Sequence, residues 1–426
     1  MQYIIKKCNN LKGSVNIPGD KSISHRTLLL GAIAEGKTVI KNLSRCQDVR
    51  STQYCLEKLG VSFTEEKQTM TINGKGLYGL REPDSPLDAG NSGTTVRLLS
   101  GILAAQPFHS VITGDQFLSK RPMDRIILPL RKMGAEIKAK EDRYLPLDIR
   151  GKSLAPLHYH TPIASAQVKS CVLLAGLYTN GEVSVSEPFT SRDHTEKMLS
   201  GFGIDIKKHN TTITIQGNKQ LKPTEINVPA DISSVAFFIA AALLADNSEL
   251  QLKNIGINPT RTGILTALKK MGAEIYCNNP RYFNNEPVAD LHINSQSLTG
   301  TIIKDPLIPH IIDEIPILAV TATQATGKTK IIDAEELRVK ETDRIHALYV
   351  NLNAMGADVT ELKDGLVIQG PTPLKGAEIN TFGDHRIAMA FSVAGSIAEG
   401  NTIINDSECT DVSFPGFFKI LESVYA

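Results

Sequence analysis

Six segments of the chain open with polar residues and then continue almost wholly apolar for two to three helical turns. An apolar stretch of that length without a polar face is typical of a helix buried on all sides. The pattern therefore predicts six buried helices, each carrying its charged or hydroxyl side chains at the N-terminal end. The segments are KSISHRTLLLGAIA, GNSGTTVRLLSGILAA, SAQVKSCVLLAGLY, DISSVAFFIAAALLA, DEIPILAVTATQA and GDHRIAMAFSVAGSIA.

A second pattern is interleaved with the first. Five times, a helical turn is followed by glycine and then by alternating apolar residues, with the glycines at Gly60, Gly134, Gly203, Gly272 and Gly356. Glycine after the last turn is the usual left-handed helix stop, and the alternation predicts a half-buried strand. Together the two patterns predict an α/β fold of six βαβαββ units, each of about 70 residues. The sixth unit is incomplete at its C-terminal end, so residues 1 to 19 are expected to supply its missing strands.

Length and composition limit the possibilities further. A chain of 426 residues fits two domains of about 200 residues each. The 46 Lys and Arg nearly cancel the 45 Asp and Glu, so no overall charge favours nucleic acid or an anionic membrane. The six cysteines are scattered without a CxxC pair, which argues against zinc and disulfides and favours a reducing cytoplasm.

Export and membrane insertion are not expected. The N-terminal MQYIIKKCNN lacks the apolar region of a signal peptide. The longest apolar run, Val235 to Ala245, has 11 residues, well short of the roughly 20 that span a bilayer.

The most charged segment is LRVKETDR, residues 337 to 344, in which five of eight side chains are charged. On a helix, Lys340, Glu341 and Arg344 would project along one side and place two cations beside one acid. Such an arrangement suits an anion held next to an acid. A solvated helix face with an intrahelical charge pair is the alternative.

The polar helix openings also suit anions. Free N–H groups and the partial positive charge at a helix N-terminus attract negative charge. If the three buried helices of each half ran parallel, six such ends would face one cleft. Eight cations would make that cleft strongly positive: Lys21, Arg26, Arg121, Lys169, Arg192, Lys340, Arg344 and Arg386.

Five strings together resemble the 5-enolpyruvylshikimate-3-phosphate synthases over essentially the whole chain: DKSISHR, GNSGTTVR, KRPM, KETDR and GDHRIAM. The resemblance implies two similar α/β domains, each with three repeat units around buried parallel helices, as in the inside-out α/β barrel of the enolpyruvyl transferases. It places residues 20–224 in the first domain, residues 1–19 and 225–426 in the second, and the active site in the cleft between them. It also implies a cytoplasmic enzyme of the shikimate pathway to chorismate and aromatic amino acids, which is the target of glyphosate.

The same resemblance implies roles for individual residues. The enzyme would join phosphoenolpyruvate to the 5-hydroxyl of shikimate 3-phosphate and release phosphate. Asp313 would take the hydroxyl proton, Glu341 would protonate C3, and Lys21 would bridge both substrates. Shikimate 3-phosphate would be held by Lys21, Ser22, Arg26, Ser165, Gln167, Arg192, Asp313 and Lys340, and phosphoenolpyruvate by Gly93, Arg121, Gln167, Arg344 and Arg386. No metal or organic cofactor, nucleic acid or membrane is implied, and a monomer is expected.

Several positions depart from the better-known branch of the family. Ala166 stands where many members have serine, Arg192 where many have tyrosine, and Leu98 where many have proline. Asp411 and Val412 occupy the region where many members carry a lysine that reaches phosphoenolpyruvate. The chain thus resembles the divergent second bacterial class, and it lacks the C-terminal lysine through which many members contact phosphoenolpyruvate.

Plain helix starts and other functions remain as alternatives. Ser22, Asp313 and Asp384 could simply cap helices, with His385 structural, and Arg121 before Pro122 could begin one. The related transferase acting on UDP-N-acetylglucosamine carries a loop cysteine that PFHSVITGDQFLSKRPM lacks. A non-catalytic anion or RNA-end binder would have no use for both Asp313 and Glu341. The string GAIAEGKT matches a P-loop by letters, but it is expected to end a helix and enter a strand, which is the reverse order.

Overall fold

A computed structural model describes residues 1–426, and the chain forms two compact units. The first unit contains Gly19–Val228 and Tyr282–Glu286, and the second contains Met1–Pro18, Pro229–Arg281 and Pro287–Ala426. The helices are α1 (Lys21–Ile33), α2 (Gln47–Lys58), α3 (Gly93–Leu103), α4 (Asp124–Lys132), α5 (Ala166–Gly176), α6 (His194–Gly201), α7 (Ile232–Leu244), α8 (Gly263–Lys270), α9 (Ile308–Ile311), α10 (Ile315–Gln324), α11 (Arg344–Ala354), α12 (His385–Ile397) and α13 (Phe417–Glu422). Short 3-10 helices lie at Leu118–Lys120, Glu335–Val339 and Ser407–Val412.

The strands are short and form six separate sheets. They are β1 (Tyr3–Ile5), β2 (Lys12–Val15), β3 (Glu35–Lys41), β4 (Ser62–Glu66), β5 (Thr69–Lys75), β6 (Leu87–Asp88), β7 (His109–Thr113), β8 (Glu136–Lys140), β9 (Tyr144–Arg150), β10 (His158–His160), β11 (Glu182–Ser186), β12 (Ile206–His209), β13 (Thr212–Gln216), β14 (Glu225–Asn227), β15 (Glu249–Gly256), β16 (Tyr276–Phe283), β17 (Glu286–Asn294), β18 (Ile302–Ile303), β19 (Gly327–Ile331), β20 (Asp358–Leu362), β21 (Gly365–Gly370), β22 (Glu378–Ile379) and β23 (Thr402–Ile404).

The first unit has three four-stranded sheets of one topology, with orders β14-β3-β5-β4, β6-β7-β9-β8 and β10-β11-β13-β12. In each sheet the first two strands are parallel and the last two run antiparallel. A parallel pair needs a crossover, and α3 and α5 supply it in the second and third sheets. The predicted βαβαββ unit is therefore present.

The second unit repeats this plan with sheets ordered β16-β17-β15-β2, β18-β19-β21-β20 and β1-β23-β22. The last sheet has three strands, and β1 completes it by pairing antiparallel with β23. The N-terminal segment thus supplies one strand to the sixth unit. The next strand, β2, joins β15 in another sheet, where it runs parallel.

The chain leaves the first unit at Val228, whereas the sequence placed that boundary after residue 224. Strand β14 lies beyond the expected boundary but pairs in parallel with β3, so its residues stay with the first unit. The other crossover lies between Pro18 and Gly19, one residue before the expected position. The segment Tyr282–Glu286 runs from the end of β16 through the turn to the first residue of β17. It also belongs to the first unit, which was not anticipated.

The six apolar segments form the buried helices α1, α3, α5, α7, α10 and α12, as predicted. In α7, every residue from Ile232 to Leu243 is buried. The five repeat glycines adopt φ angles between +84° and +100°, the left-handed stop that glycine permits. The P-loop-like string runs from α1 into β3, so the helix precedes the strand as expected.

Close packing of α3 on α5 depends on a glycine. A Cβ atom on Gly101 would lie 2.3 Å from the carbonyl oxygen of Cys171, which is far inside van der Waals contact. The backbones of the two helices therefore approach directly at this point. The N-terminal turns of the same two helices carry several candidate site residues.

Candidate active site

Polar side chains tie together the N-terminal turns of α1, α3 and α5 in the first unit. These helices are capped by Asp20, Ser92 and Ser165, whose side chains accept hydrogen bonds from Ile23 N, Thr95 N and Val168 N. Asp20, not Ser22, caps α1, so the capping alternative for Ser22 is wrong. The residues expected to bind substrate in this unit all lie on or near these three turns.

Arg26 joins α1 to two neighbouring helices. It is only 4% exposed, and its Nη2 donates to Ser170 Oγ on α5 at 2.8 Å. Its Nε donates to Thr195 Oγ1 on α6 at 2.7 Å. Ser22 contributes its backbone carbonyl, which accepts from Arg26 Nη1 at 2.9 Å. The guanidinium is thus held rigidly at the start of α1.

Lys21, the first residue of α1, forms an ion pair with Asp48 on α2. Its Nζ lies 2.8 Å from Asp48 Oδ2, and the two side chains are 18% and 10% exposed. The sequence gave no indication of this partner, because it lies on another helix. Any anion bound by Lys21 has to share the ammonium with Asp48.

Gln167 is held in one orientation by residues of α3. Its Oε1 accepts from Arg97 Nη1 at 2.6 Å, and its Nε2 donates to Thr94 Oγ1 at 2.9 Å. Arg97 was part of the quoted GNSGTTVR motif but was not selected as a site residue. Its guanidinium also donates to Pro122 O at 3.3 Å. Because a guanidinium can only donate hydrogen bonds, the amide of Gln167 has to turn its oxygen, and not its NH2 group, towards Arg97.

Gly93, at the start of α3, lies beneath two guanidinium groups. A Cβ atom built there would be 3.1 Å from Arg97 Nη1 and 3.4 Å from Arg121 Cζ. Arg121 itself follows the 3-10 helix Leu118–Lys120, and α4 begins later, at Asp124. Arg121 is therefore not a helix start, and the structure brings it against the α3 N-terminus.

Ser165 and Ser191 are connected through the buried Glu187. The backbone N–H of Ser165 donates to Glu187 Oε1 at 2.8 Å, and Ser191, next to Arg192, donates its hydroxyl to the same carboxylate. Lys169, counted among the cleft cations, is instead buried between carboxylates, with Nζ 2.8 Å from Glu187 Oε2 and 2.8 Å from Glu196 Oε1. It therefore adds no free positive charge, and that expectation was wrong.

In the second unit, Ser233 links the starts of α7, α10 and α12. Its hydroxyl donates to Glu314, the N-cap of α10, and accepts from Arg261 Nη2 at 2.7 Å. Its carbonyl oxygen accepts from Arg386 Nη1, on the first turn of α12, at 3.2 Å. Because Glu314 is the N-cap, Asp313 does not cap α10, and the capping alternative for Asp313 is wrong.

Arg344 lies among three carboxylates and is almost completely buried. Its Nε donates to Asp384 Oδ2 at 2.8 Å, its Nη2 donates to Glu341 Oε2 at 2.6 Å, and its Nη1 lies 3.6 Å from Asp313 Oδ1. Burial alone would lower the pKa of Arg344, but the charges of Asp384 and Glu341 outweigh it and raise the pKa. The guanidinium thus gathers both expected proton-transfer carboxylates at one point.

Lys340 and Glu341 do not lie on a helix. The 3-10 helix ends at Val339, and α11 begins at Arg344, because Asp343 caps it by accepting from His346 N at 3.1 Å. The helical phase proposed for LRVKETDR was therefore wrong, although the charged residues still gather. Burial lowers the pKa of Lys340, and the charge of Asp313 partly opposes this effect.

Asp384 caps α12 as the alternative proposed, accepting from Arg386 N at 2.8 Å. It also binds Arg344 and is fully buried, a role that the motif alone did not reveal. His385 is buried on the first turn of α12. Four of the residues missed from the sequence are acids whose cations lie on other elements, namely Asp48, Glu187, Glu196 and Asp384.

None of the helices is both long and apolar enough to cross a membrane. All six cysteines are free thiols. Neither observation bears on the chemistry of the polar groups at the helix starts of the two units.

Comparisons with known proteins agree on one family. Residues 5–421 match the family model of EPSP synthase (3-phosphoshikimate 1-carboxyvinyltransferase). The chain is 50% identical to a 3-phosphoshikimate 1-carboxyvinyltransferase of Brevibacillus brevis over 421 residues, covering 99% of both chains. It is also 50% identical to one of Desulforamulus reducens over 426 residues, covering 100% of this chain and 99% of that one. A solved EPSP synthase of Acinetobacter baumannii superposes with a TM-score of 0.90 at 45% identity, covering 100% of this chain and 98% of that one.

Proposed function

The chain belongs to the EPSP synthase family, and from this membership we propose how its residues carry out the family's reaction. The enzyme transfers the enolpyruvyl group of phosphoenolpyruvate to the 5-hydroxyl of shikimate 3-phosphate and releases phosphate, a step of the shikimate pathway. The residue assignment rests on one observation. The guanidinium of Arg344 contacts Glu341 and lies 3.6 Å from Asp313.

We assign the acceptor substrate mainly to the first unit. Lys21, Arg26 and Arg192 supply positive charge, and the capped starts of α1 and α5 supply N–H groups suited to phosphate and carboxylate oxygens. Ser22, Ser165 and Gln167 supply hydrogen-bonding groups, with Asp313 and Lys340 from the second unit.

Phosphoenolpyruvate would be held by Gly93, Arg121, Gln167, Arg344 and Arg386, with Lys21 contacting both substrates. Gly93 suits this role because, without a side chain, it lets the guanidinium groups of Arg97 and Arg121 lie close to the start of α3. The orientation of Gln167 is already set by Arg97 and Thr94, so no reorganisation is needed on binding. Arg386 lies at the capped start of α12.

The chemistry requires a base, an acid and cations, and the second unit has all three. Asp313 would accept the proton of the 5-hydroxyl as its oxygen attacks C2, while Glu341 would deliver a proton to C3, which makes the tetrahedral adduct. The bond between C2 and the phosphate oxygen then breaks and phosphate leaves. Glu341 recovers a proton from the new methyl group. The positive groups around phosphoenolpyruvate stabilise the leaving phosphate.

Arg344 Nη2 donates to Glu341 Oε2 at 2.6 Å. Phosphoenolpyruvate bound to Arg344 would compete with Glu341 for the same guanidinium.

We further propose that the enzyme acts in the cytoplasm as a monomer and belongs to the second bacterial class. Free thiols are compatible with a reducing compartment. The class assignment rests on Leu98, Ala166, Arg192 and Val412, which depart from the better-known branch.

The proposal is tested by measuring phosphate release from phosphoenolpyruvate with each acceptor in turn. We expect release with shikimate 3-phosphate, none with UDP-N-acetylglucosamine and none without acceptor, and no change after exhaustive chelation. Equal turnover with the nucleotide sugar, or complete loss after chelation, would overturn the assignment.

A further inference from the structure

A buried group of three charged side chains lies behind the first-unit cluster: Lys169 on α5, Glu187 just after β11, and Glu196 on α6. The exposed fractions of the three side chains are 2%, 1% and 8%. None belongs to the proposed substrate contacts. Burying three charges is costly unless each is paired, so the arrangement calls for a role.

Glu187 differs from Glu196 in what it touches besides Lys169. Its Oε1 accepts from Ser165 N at 2.8 Å and from Ser191 Oγ at 2.7 Å. Its Oε2 is 2.8 Å from Lys169 Nζ and accepts from Ser191 Oγ at 2.8 Å. Glu196, in contrast, forms the ion pair with Lys169 at 2.8 Å.

The two serines adjoin the residues expected to hold the acceptor substrate. Ser165 is itself one of them and caps α5, the helix of Gln167. Ser191 directly precedes Arg192 in the segment that leads to α6. One carboxylate therefore holds together the start of α5 and the segment that carries Arg192.

We propose that Glu187 is a positioning residue that sets the affinity of the enzyme for shikimate 3-phosphate by fixing Ser165 and the Arg192 segment, with Lys169 holding its carboxylate in place. The inference deepens the proposed function and rests on it.

Charge balance explains why Lys169 lies beside Glu187. A lone buried carboxylate beside an anion site would repel the substrate's phosphate and carboxylate groups. Lys169 offsets one of the two buried carboxylate charges. Burial would lower the pKa of Lys169, but the charges of Glu196 and Glu187 outweigh it, so its pKa is raised. The ammonium thus stays charged throughout the physiological range.

A glutamine cannot replace Glu187 without conflict. Both carboxylate oxygens face donors: the Ser165 N–H, the Ser191 hydroxyl and the Lys169 ammonium. The amide NH2 of glutamine would therefore meet a donor in either rotamer. The variant still leaves Lys169 paired with Glu196, so one carboxylate then balances one ammonium and the fold is expected to persist.

The experiment compares Glu187→Gln with Glu196→Gln in steady-state kinetics, varying each substrate separately. Both variants remove one carboxylate from Lys169 by the same isosteric change, but only the first disturbs Ser165 and Ser191. We expect Glu187→Gln to raise KM for shikimate 3-phosphate about tenfold, which is about 1.4 kcal/mol, while kcat and KM for phosphoenolpyruvate change less than about threefold. Glu196→Gln should leave all three within about twofold.

Ser191→Ala provides an independent check that keeps the buried charges intact. It should raise KM for shikimate 3-phosphate in the same direction, by about threefold. Equal effects of the two glutamine variants, an effect on kcat alone, or no change in any variant would overturn the inference. A wild-type enzyme that does not use shikimate 3-phosphate would instead overturn the proposed function.

Discussion

Arg344 Nη2 lies 2.6 Å from Glu341 Oε2, three residues earlier in the chain. The contact forms across the point at which the chain enters α11, so it does not come from helical periodicity. Asp384 also holds the guanidinium, accepting from Arg344 Nε at 2.8 Å and from Nη2 at 3.4 Å. Arg344 should therefore keep its position when Glu341 is replaced, so a variant at Glu341 tests the acid and not the placement of the arginine.

The first prediction concerns the two proton-transfer carboxylates. Asp313→Asn and Glu341→Gln should each lower kcat about 100-fold or more, while changing KM for either substrate much less, because a positioned acid or base contributes on that scale. Stopped-time measurement of phosphate release gives both constants. Glu335→Gln, an exposed position on the neighbouring 3-10 helix, is the control. Near-normal turnover in either site variant would remove that residue from the mechanism.

The second prediction concerns Gly93. In Gly93→Ala the new methyl group would lie 3.1 Å from Arg97 Nη1, which must shift by a few tenths of an ångström, and would touch Arg121 Cζ at 3.4 Å. KM for phosphoenolpyruvate should rise, and the inhibition constant for glyphosate should rise more, because glyphosate is the longer occupant of the pocket implied by the family.

Inhibition curves for the wild type and the variant decide this point. Gly201→Ala is a suitable control, because its Cβ would meet no atom within 4 Å. An unchanged or lower glyphosate constant in Gly93→Ala would show that this glycine does not border the pocket.

The third prediction concerns the pH dependence of stability. His25 is fully buried, and burial, followed by the charges of Lys21 and Arg26, lowers its pKa well below the usual 6.5. Below about pH 6.5 the unfolded chain therefore binds a proton that the folded chain does not, and stability falls as pH falls, by at most about 1.4 kcal/mol per pH unit.

The comparison is with His25→Asn, which retains a polar atom near Nδ1 for Thr52 but cannot be protonated. Urea unfolding at several pH values between 5 and 8 should show a steeper loss in the wild type below pH 6.5. Parallel curves for the two proteins would mean that His25 does not carry this dependence.

The fourth prediction concerns helix packing. Gly101→Ala would place Cβ 2.3 Å from Cys171 O and force α3 and α5 apart. Overpacking of this kind commonly costs about 1 to 3 kcal/mol, and the midpoint of thermal unfolding should fall accordingly. The Arg97 to Gln167 hydrogen bond joins the same two helices, so KM for phosphoenolpyruvate should rise as well. A variant as stable as Gly201→Ala would contradict the close backbone contact.

The sequence predicted the elements well where the determinants are local. Each of the six buried helices begins after a polar residue, and each repeat glycine ends the helix that precedes it. Both signals depend only on neighbouring residues, so the sequence shows them. Strand exchange is not local. Nothing within Glu225–Asn227 indicates that it pairs with β3, so the expected domain boundary stopped short of it.

The site was predicted less completely for the same reason. Lys169 looks like one more cation in the sequence, because its neutralising acids lie on other elements. The segment from Lys340 to Arg344 has helical spacing, yet the capping side chain of Asp343 delays the helix. Pairings of this kind depend on tertiary contacts, which spacing does not encode.

The pairing of β1 with β23 has a consequence for biosynthesis. Residues 3–5 leave the ribosome long before residues 402–404, yet they cannot complete their sheet until those residues have been made. At about 5 to 20 residues per second, that delay is about 20 to 80 seconds. The first unit, whose main segment ends at Val228, can collapse during this interval, whereas residues 3–5 stay unpaired and open to chaperones until residues 402–404 emerge.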